Sequence, residues 1–150
     1  MCSEAELLAA IDLGSNSFHL VIAKSAFGEL RLIHALTEKV QLGETTGEAT
    51  LIPEAIARGL ACLERFKQLI DATGPAKIRI VGTNALRRAK NRQTFLDAAE
   101  EILGAPVDVI YGREEARLIY LGVSHSLSDD ENKRLVVDIG GGSTEFILGH

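Results

Sequence analysis

Two carboxylates flank a run of three glycines near the end of the sequence. Asp138 precedes the run Gly140–Gly142, and Glu145 follows it. A glycine has no side chain to block an anion, and it can take the backbone angles that aim successive N–H groups at one point. Apolar residues on both sides favour a strand, a tight turn and a second strand. The stretch therefore predicts a phosphate-binding turn, whose paired carboxylates favour a Mg²⁺ ion held mostly through water.

A second copy of this pattern lies near the start of the sequence, at residues 11–19. When Asp12 is aligned with Asp138, a glycine, a serine and the apolar flanking residues also match. His19 takes the place of Glu145, and both a structural role and a place in the cleft are open for it. Two ordinary glycine hairpins are the alternative explanation. The matching strand–turn–strand settings favour a duplicated phosphate-binding unit.

The composition is that of an ordinary globular protein and argues against several classes. Of the 150 residues, 46% are hydrophobic and 25% are charged, as in ordinary globular proteins. This length suffices for one domain with a hydrophobic core. The net charge of −5 argues against general nucleic-acid binding, and no apolar run approaches the length of a membrane span. Cys2 and Cys62 have no metal-binding or redox spacing, and a signal peptide is not recognisable. We expect a reduced, cytoplasmic protein with Cys62 in its core.

The spacing of apolar residues predicts an α/β fold with a mixed sheet. The first three strands are closely joined and predict an antiparallel meander. Residues 43–50 predict a loop near or over the site. The predicted order is strands at 7–12, 18–24 and 29–35, a helix that starts at Pro53 and is ended by Gly74-Pro75, a strand at 77–81, helices from Ala85 and at 94–103, a strand at 107–110, a helix at 113–123 and a final hairpin.

The inward-facing positions of these elements predict one hydrophobic core. His34 alternates with apolar neighbours and is expected at the surface. The predicted core residues are Leu8, Ile11, Leu13, Leu20, Ile22, Leu63, Phe66, Ile78, Ile80, Leu86, Phe95, Val109 and Leu118.

The final hairpin restarts the opening pattern, which indicates the beginning of a second lobe. We expect residues 1–126 to form a first domain, and residues 127–150 to be a linker and the start of a second domain whose remainder is absent. An isolated hairpin is marginally stable and has unpaired edges. Residues 134–148 are therefore expected to be mobile or to pair with another chain.

A cluster of basic side chains follows the strand at 77–81. Arg87, Arg88, Lys90 and Arg92 come directly after a Gly-Thr-Asn turn, where a strand running into a helix start suits a phosphate. A solvated charged face is the alternative. Arg87 is the basic residue nearest to the turn. We predict that it binds a phosphate, because one guanidinium group can donate two parallel hydrogen bonds to two phosphate oxygens.

Four stretches of the sequence resemble, in order, the exopolyphosphatase / guanosine pentaphosphate phosphohydrolase (Ppx/GppA) family. They are Asp-Leu-Gly-Ser-Asn-Ser-Phe-His at 12–19, Gly-Thr-Asn-Ala-Leu-Arg at 82–87, Glu-Glu-Ala-Arg at 114–117 and Asp-Ile-Gly-Gly-Gly-Ser-Thr-Glu at 138–145. The resemblance covers essentially the whole chain. It implies an actin-like (ribonuclease H-like) fold, in which two related lobes close around phosphates, and makes this chain the N-terminal lobe plus the first hairpin of the second.

The resemblance also implies roles for individual positions. Glu115 corresponds to the catalytic base that activates water, whereas the sequence alone equally allows a carboxylate that complements a helix N-terminus. Asp138 and Glu145 correspond to ligands of Mg²⁺ or Mn²⁺, and a monovalent cation such as K⁺ is also allowed. The phosphate-binding positions are Asp12, Gly14, Ser15, Asn16, Arg87, Gly140, Gly141, Gly142, Ser143 and Thr144.

The activity that the resemblance implies is metal-dependent hydrolysis of the terminal phosphoanhydride of inorganic polyphosphate. The alternative within the family is a guanosine pentaphosphate 5′-phosphohydrolase of the stringent response, and a homodimer is expected for the full-length protein. The Glu-Glu-Ala-Arg stretch disfavours an ATP-dependent kinase of the same superfamily. A non-catalytic sensor of polyphosphate or guanosine tetraphosphate is the alternative from a different class. Because donors would come from one lobe only, residues 1–150 alone are expected to have little or no turnover.

Overall fold

An antiparallel meander of three strands opens the fold. The computed structural model describes residues 5–45, 48–127 and 132–149, and its first strands are β1 (Glu6–Leu13), β2 (Ser17–Ala26) and β3 (Glu29–Lys39). In β2 the side chains of Phe18, Leu20 and Ile22 are buried and those between them are exposed, as expected of a strand with one face on the core. β3 extends beyond the predicted residue 35, because it stays paired with β2 as far as Lys39.

Phe27 and Gly28 join β2 to β3 in a two-residue turn. Their φ angles are 53° and 79°, which is typical of the type I′ turn whose twist matches antiparallel strands. Gly28 takes this left-handed conformation without strain, whereas the side chain of Phe27 makes it costly. The Phe27 ring is 84% exposed, so packing contributes little in return.

Two parallel strands complete a mixed sheet of five. β4 (Lys77–Gly82) pairs with β1, and β5 (Val107–Val109) pairs with β4, which gives the order β3-β2-β1-β4-β5. The central strand β1 is antiparallel to β2 and parallel to β4. This confirms the predicted mixed sheet of an actin-like, ribonuclease H-like lobe. It also brings Leu13 beside Gly82, so the turns after β1 and β4 meet at one edge.

Helices pack around this sheet within the described residues. They are α1 (Pro53–Thr73), α2 (Asn84–Arg88), α3 (Arg92–Leu103) and α4 (Gly112–Ser126). α1 packs against α3, and the rings of Phe18 and Phe95 meet edge to face with their centroids 6.2 Å apart. Gly59 of α1 lies against both rings, where a side chain would collide with Phe95. Left-handed Gly74 ends α1, as the sequence predicts.

The hydrophobic core confirms most of the positions predicted from the sequence. Leu8 is an exception and is half-buried, while Ile78 and Val109 are partly buried and pack against the core. Cys62 is fully buried, and this burial is the main cause that raises the pKa of its thiol to about 12. His34 is exposed, as predicted.

The final hairpin packs against α4. It consists of β6 (Arg134–Ile139) and β7 (Thr144–Gly149), and α4 contacts both strands. The contact is close at Gly149, where a side chain would collide with the ring of Tyr120. No residue of α4, which is described throughout, is fully buried. The prediction that Leu118 belongs to the core is therefore wrong, because α4 packs mainly against the hairpin.

The predicted domain boundary at residue 126 stays a prediction, as does the expected mobility or pairing of the hairpin. The predicted boundary coincides with the end of α4. Residues 128–131 of the predicted linker lie outside the described residues. The hairpin leaves Leu135, Phe146 and Leu148 exposed. Within the described parts of the chain, no helix has the length and apolar character needed to cross a bilayer.

Candidate active site

The two glycine turns close in the same way. The N–H of Gly14 donates to the carbonyl of Ser17 at 3.2 Å, and the N–H of Gly140 donates to the carbonyl of Ser143 at 2.9 Å. A Cβ atom on Gly14 would lie only 2.7 Å from the Ser17 carbonyl oxygen, so the turn after β1 requires glycine. The duplication seen in the sequence therefore extends to the hydrogen bond that shapes each turn.

The tips of the turns touch along a line of contact that we call the seam, formed by Ser15 and Asn16 against Gly141 and Gly142. A Cβ atom would lie 2.6 Å from Asn16 Cβ if placed on Gly141, and 2.6 Å from Ser15 Oγ if placed on Gly142. Asn84, at the start of α2, donates from Nδ2 to the Gly142 carbonyl at 2.5 Å. The seam exists because two glycines let the backbones approach this closely.

A cavity of about 270 Å³, which we call the small cavity, lies where the turns meet the acidic side chains. β1 contributes Asp12 to its wall, β2 contributes His19, α4 contributes Glu115 and β6 contributes Asp138. These residues come from four separate elements. The sheet register and the packing of α4 on the hairpin are what bring them together.

Three carboxylates converge beside the small cavity. Glu115, Asp138 and Glu145 each offer one oxygen, and these oxygens lie within 4.8 Å of one another. Glu145 is only 9% exposed, and its Oε2 has no hydrogen-bond partner among the described residues. A buried carboxylate oxygen without a partner is costly, and a hard divalent cation with oxygen ligands would satisfy it. The donor set therefore fits the metal that the sequence predicts, and it adds Glu115 to the predicted pair.

Arg87 holds Glu115 in place. Its Nη1 donates to Glu115 Oε2 at 3.1 Å and to the carbonyl of Ile110 at 2.7 Å. The two paired side chains are 20% and 12% exposed, so water screens this pair less than the surface ion pairs. Arg87 does not line the small cavity. The structure thus puts Arg87 beside the predicted base, and its contact with a phosphate stays a prediction.

Burial raises the pKa of the Glu115 carboxyl above its usual range. The hydrogen bond from Arg87 opposes this rise, and the negative charges of Glu145 and Asp12 add to it. Burial also raises the pKa of the Asp12 carboxyl, with His19 opposing the rise and Asp138 adding to it. A carboxylate with a raised pKa is a stronger proton acceptor than an ordinary one.

His19 combines the two roles that the sequence left open. Its Nδ1 shares a hydrogen bond with Thr37 Oγ1 at 3.0 Å, which ties β2 to β3, and its side chain also lines the small cavity. Thr83 is a further wall residue, 7% exposed, whose Oγ1 donates to the carbonyl of Leu13 at 3.5 Å.

A second cavity of about 500 Å³, which we call the large cavity, also has the seam as part of its wall. Its other walls come from the loop after β3 and from α2. The prediction that residues 43–50 form a loop near the site is confirmed for residues 43–45 and 48–50, which line this cavity, while residues 46–47 lie outside the described residues.

Most predicted phosphate-binding residues line the small cavity, and the exceptions are Arg87 and Thr144. Thr144 is exposed at the start of β7. Sequence reasoning missed Thr83 as a wall residue and Asn84 as a link across the seam. The Gly-Thr-Asn turn was the available signal, but spacing along the chain does not reveal which side chain faces a cavity.

Comparison with known protein families places the chain in a class of phosphatases. The sequence model of the Ppx/GppA phosphatase family matches residues 21–150 of the chain. The chain belongs to the Ppx/GppA phosphatase family.

Solved structures agree with this assignment. A Ppx/GppA enzyme of Aquifex aeolicus is 38% identical, with a TM-score of 0.87, over 97% of this chain and 48% of that one. An exopolyphosphatase of Cytophaga hutchinsonii is 32% identical, with a TM-score of 0.91, over 96% of this chain and 46% of that one. The chain thus spans about half the length of these relatives.

Proposed function

We propose that the protein to which this chain belongs removes the terminal phosphate of inorganic polyphosphate and releases it as orthophosphate. The observation that carries the proposal is the meeting of two glycine turns with Glu115 and Asp138 around one cavity, beside which Glu145 adds a third carboxylate. Phosphoanhydride cleavage needs hydrogen-bond donors and a cation that stabilise the negative charge of the transferred phosphoryl group. It also needs a water molecule in line with the leaving group. The small cavity offers groups for each of these tasks.

The glycine turns would bind the terminal phosphoryl group. The N–H groups of Gly14 and Gly140 close the turns, which holds the other backbone N–H groups of each turn in place, so little reorganisation is needed when charge develops. Ser15, Asn16 and Ser143 add side-chain donors in the same wall. Arg87 would contribute through Nε and Nη2, for which the described residues provide no acceptor.

Asp138 and Glu145 would hold a Mg²⁺ or Mn²⁺ ion. When bound, such an ion neutralises charge on the phosphate oxygens and orients them. The two carboxylates are cross-strand neighbours in the hairpin. Their separation is therefore fixed by strand pairing.

Glu115 would accept a proton from the attacking water. Arg87 fixes one of its oxygens, and Oε1 accepts no hydrogen bond from the described residues, so it is available to a water. The raised pKa of this carboxyl supports a role as general base.

The alternative substrate is guanosine pentaphosphate, whose 5′-terminal phosphate would be removed by the same groups. The relative from Cytophaga is an exopolyphosphatase, which favours the inorganic chain as the substrate. A non-catalytic sensor, the alternative from another class, would not need a buried carboxylate such as Glu115 beside the acidic pair.

The test is Mg²⁺-dependent release of orthophosphate by the full-length protein from long-chain polyphosphate and from guanosine pentaphosphate. We expect release from polyphosphate, and a fall of at least about 100-fold in Glu115→Gln because the general base is lost. Glu101→Gln, which changes an exposed carboxylate of α3, is the matched control. A preference for the nucleotide would support the alternative substrate, and binding without release from either would favour the sensor.

A further inference from the structure

We propose that the large cavity is the subsite for the phosphates that follow the cleaved one, with Arg88 as its cationic contact. The chemistry that it would recognise is a phosphoanhydride chain, whether that chain continues as inorganic phosphate or ends in a nucleoside. The proposal rests on the proposed function, because it assumes that the terminal phosphoryl group occupies the small cavity.

The direction of attack leads from the small cavity to the large one. In phosphoryl transfer the attacking water and the leaving group lie roughly in line, on opposite sides of phosphorus. Glu115 and Asp138 line only the small cavity, whereas Ser15 and Asn16 of the seam line both. A water activated by Glu115 therefore drives the leaving group away from the acidic cluster and toward the seam, where the large cavity begins.

Among the described residues around the large cavity, the guanidinium of Arg88 is the positive charge that an incoming phosphate would meet unpaired. Arg88 lines the cavity, and its guanidinium has no partner among the described residues. The wall residue Glu44 is paired with Arg58 at 2.8 Å. Glu48 is the other carboxylate of the wall, and the described residues give it no partner. An incoming phosphate would thus be attracted by Arg88 and repelled by Glu48.

Arg87 and Arg88 are adjacent in sequence but have different surroundings. Arg87 is committed to Glu115 and to the carbonyl of Ile110, and it lines neither cavity. Arg88 is exposed, so its five N–H donors are available for phosphate oxygens. This division leaves Arg87 to align the base and to reach the terminal phosphate with its remaining N–H groups, and it assigns the leaving-group phosphates to Arg88.

The remaining walls allow the two sources of the chain to be distinguished. Asn84 and Gln41 present polar side chains, whereas Leu51 and Ala89 present apolar ones. An inorganic chain would contact the polar groups and Arg88. The ring of a nucleoside would also contact the apolar side chains, because burying apolar surface away from water is favourable.

The experiment measures binding to the 150-residue chain that carries Glu115→Gln, so that the ligands persist. In the presence of Mg²⁺, orthophosphate, inorganic tripolyphosphate and guanosine 5′-triphosphate are titrated, and Kd values and amide and methyl NMR shifts are recorded. We expect orthophosphate to shift the glycine turns alone. Tripolyphosphate should shift Arg88 as well, and the nucleotide should add shifts in the methyl groups of Leu51 and Ala89 if its ring enters the cavity.

Substitutions give the electrostatic test of the same proposal. Arg88→Gln should weaken tripolyphosphate binding roughly fivefold to tenfold, because a charge-assisted contact is lost, and leave orthophosphate binding within about twofold. Glu48→Gln should tighten tripolyphosphate binding about twofold at low salt. Arg31→Gln makes the same change of charge on β3, where Arg31 is exposed and lines neither cavity, and should have no comparable effect.

The outcomes separate this inference from the proposed function. If orthophosphate and tripolyphosphate both shift the glycine turns but Arg88→Gln matters no more than Arg31→Gln, the subsite is overturned and the proposed function stands. If neither ligand shifts the turns, both proposals are contradicted. If Arg88→Gln weakens orthophosphate as much as tripolyphosphate, Arg88 belongs to the terminal phosphate site, and the subsite is again overturned.

Discussion

Glu115 has a basic neighbour and two acidic neighbours, and these suggest different roles for it. Arg87 binds one of its oxygens, as expected for a side chain held in position, while Asp138 and Glu145 bring their oxygens within 4.8 Å of it, as expected for a metal ligand. The proposed mechanism uses Glu115 as the base and leaves the metal to the hairpin pair. The two roles predict different effects on metal affinity, because a base can be lost without loss of the ion.

We predict that Asp138→Asn weakens Mn²⁺ binding by at least about tenfold, since a charged ligand is lost. Glu115→Gln should leave the Mn²⁺ affinity within about threefold of the original, because the amide keeps the size and the acceptor that Arg87 needs. Calorimetric titration of the 150-residue chain measures both values. An equal loss of affinity in both variants would make Glu115 a metal ligand and would contradict its assignment as a separate base.

Turns between elements carry strain that can be relieved without changing the site. The β2–β3 turn keeps Phe27 in a left-handed conformation with φ of 53°, although its ring is 84% exposed. Asparagine is more tolerant of this conformation and is common in type I′ turns. The strain therefore belongs to the turn alone.

We predict that Phe27→Asn raises the free energy of unfolding by about 0.5–1 kcal/mol, because the left-handed conformation becomes less costly. Urea unfolding followed by circular dichroism measures the change. Phe27→Ala is the control, since it removes the exposed ring but keeps a residue that is strained at positive φ. Equal stabilisation by alanine would attribute the effect to loss of the ring, against the strain argument.

Across the whole molecule, the local elements were predictable and the contacts between distant elements were not. Alternation and glycine spacing predicted the meander, the mixed sheet and both glycine turns. Leu118 was assigned to the wrong surface, because the apolar stripe of a helix does not reveal which neighbour it packs against. The pairing of Arg87 with Glu115, 28 positions apart, was also beyond the sequence, because it depends on how α2 and α4 are placed by the sheet.

One such long-range contact, between β3 and α1, should make stability depend on pH. Arg65 of α1 donates to both carboxylate oxygens of Glu38, with Nη2 to Oε2 at 2.6 Å. Hydrogen bonding from Arg65 is the main cause that holds the pKa of Glu38 below its ordinary value of 4.5. A lowered pKa in the folded state means that the contribution is present above about pH 4.5 and is lost as the pH falls through the lowered value.

We predict that Glu38→Gln lowers the free energy of unfolding by about 0.5 kcal/mol at neutral pH, a small value because Arg65 is half exposed and water screens the pair. The difference from the original protein should shrink as the pH falls below 4.5 and disappear once the pH has passed below the lowered pKa of Glu38 in the folded state. Urea unfolding at neutral pH and at a series of acidic pH values tests this. Glu29→Gln, on an exposed residue of the same strand, is the control. A difference that persists in acid would mean that the effect comes from packing.

The position of β1 at the centre of the mixed sheet determines the order in which its strand pairs form during folding. Ile11 pairs with Leu20 nine positions away and with Ile80 69 positions away. The longer closure costs about 2 kcal/mol more in chain entropy, and contacts that are distant in sequence form slowly. The meander is therefore expected to appear early, and β4 late. Thr83, Asn84 and Glu115 all follow β4, so during synthesis or refolding the cavity is completed only after most of the first sheet is present.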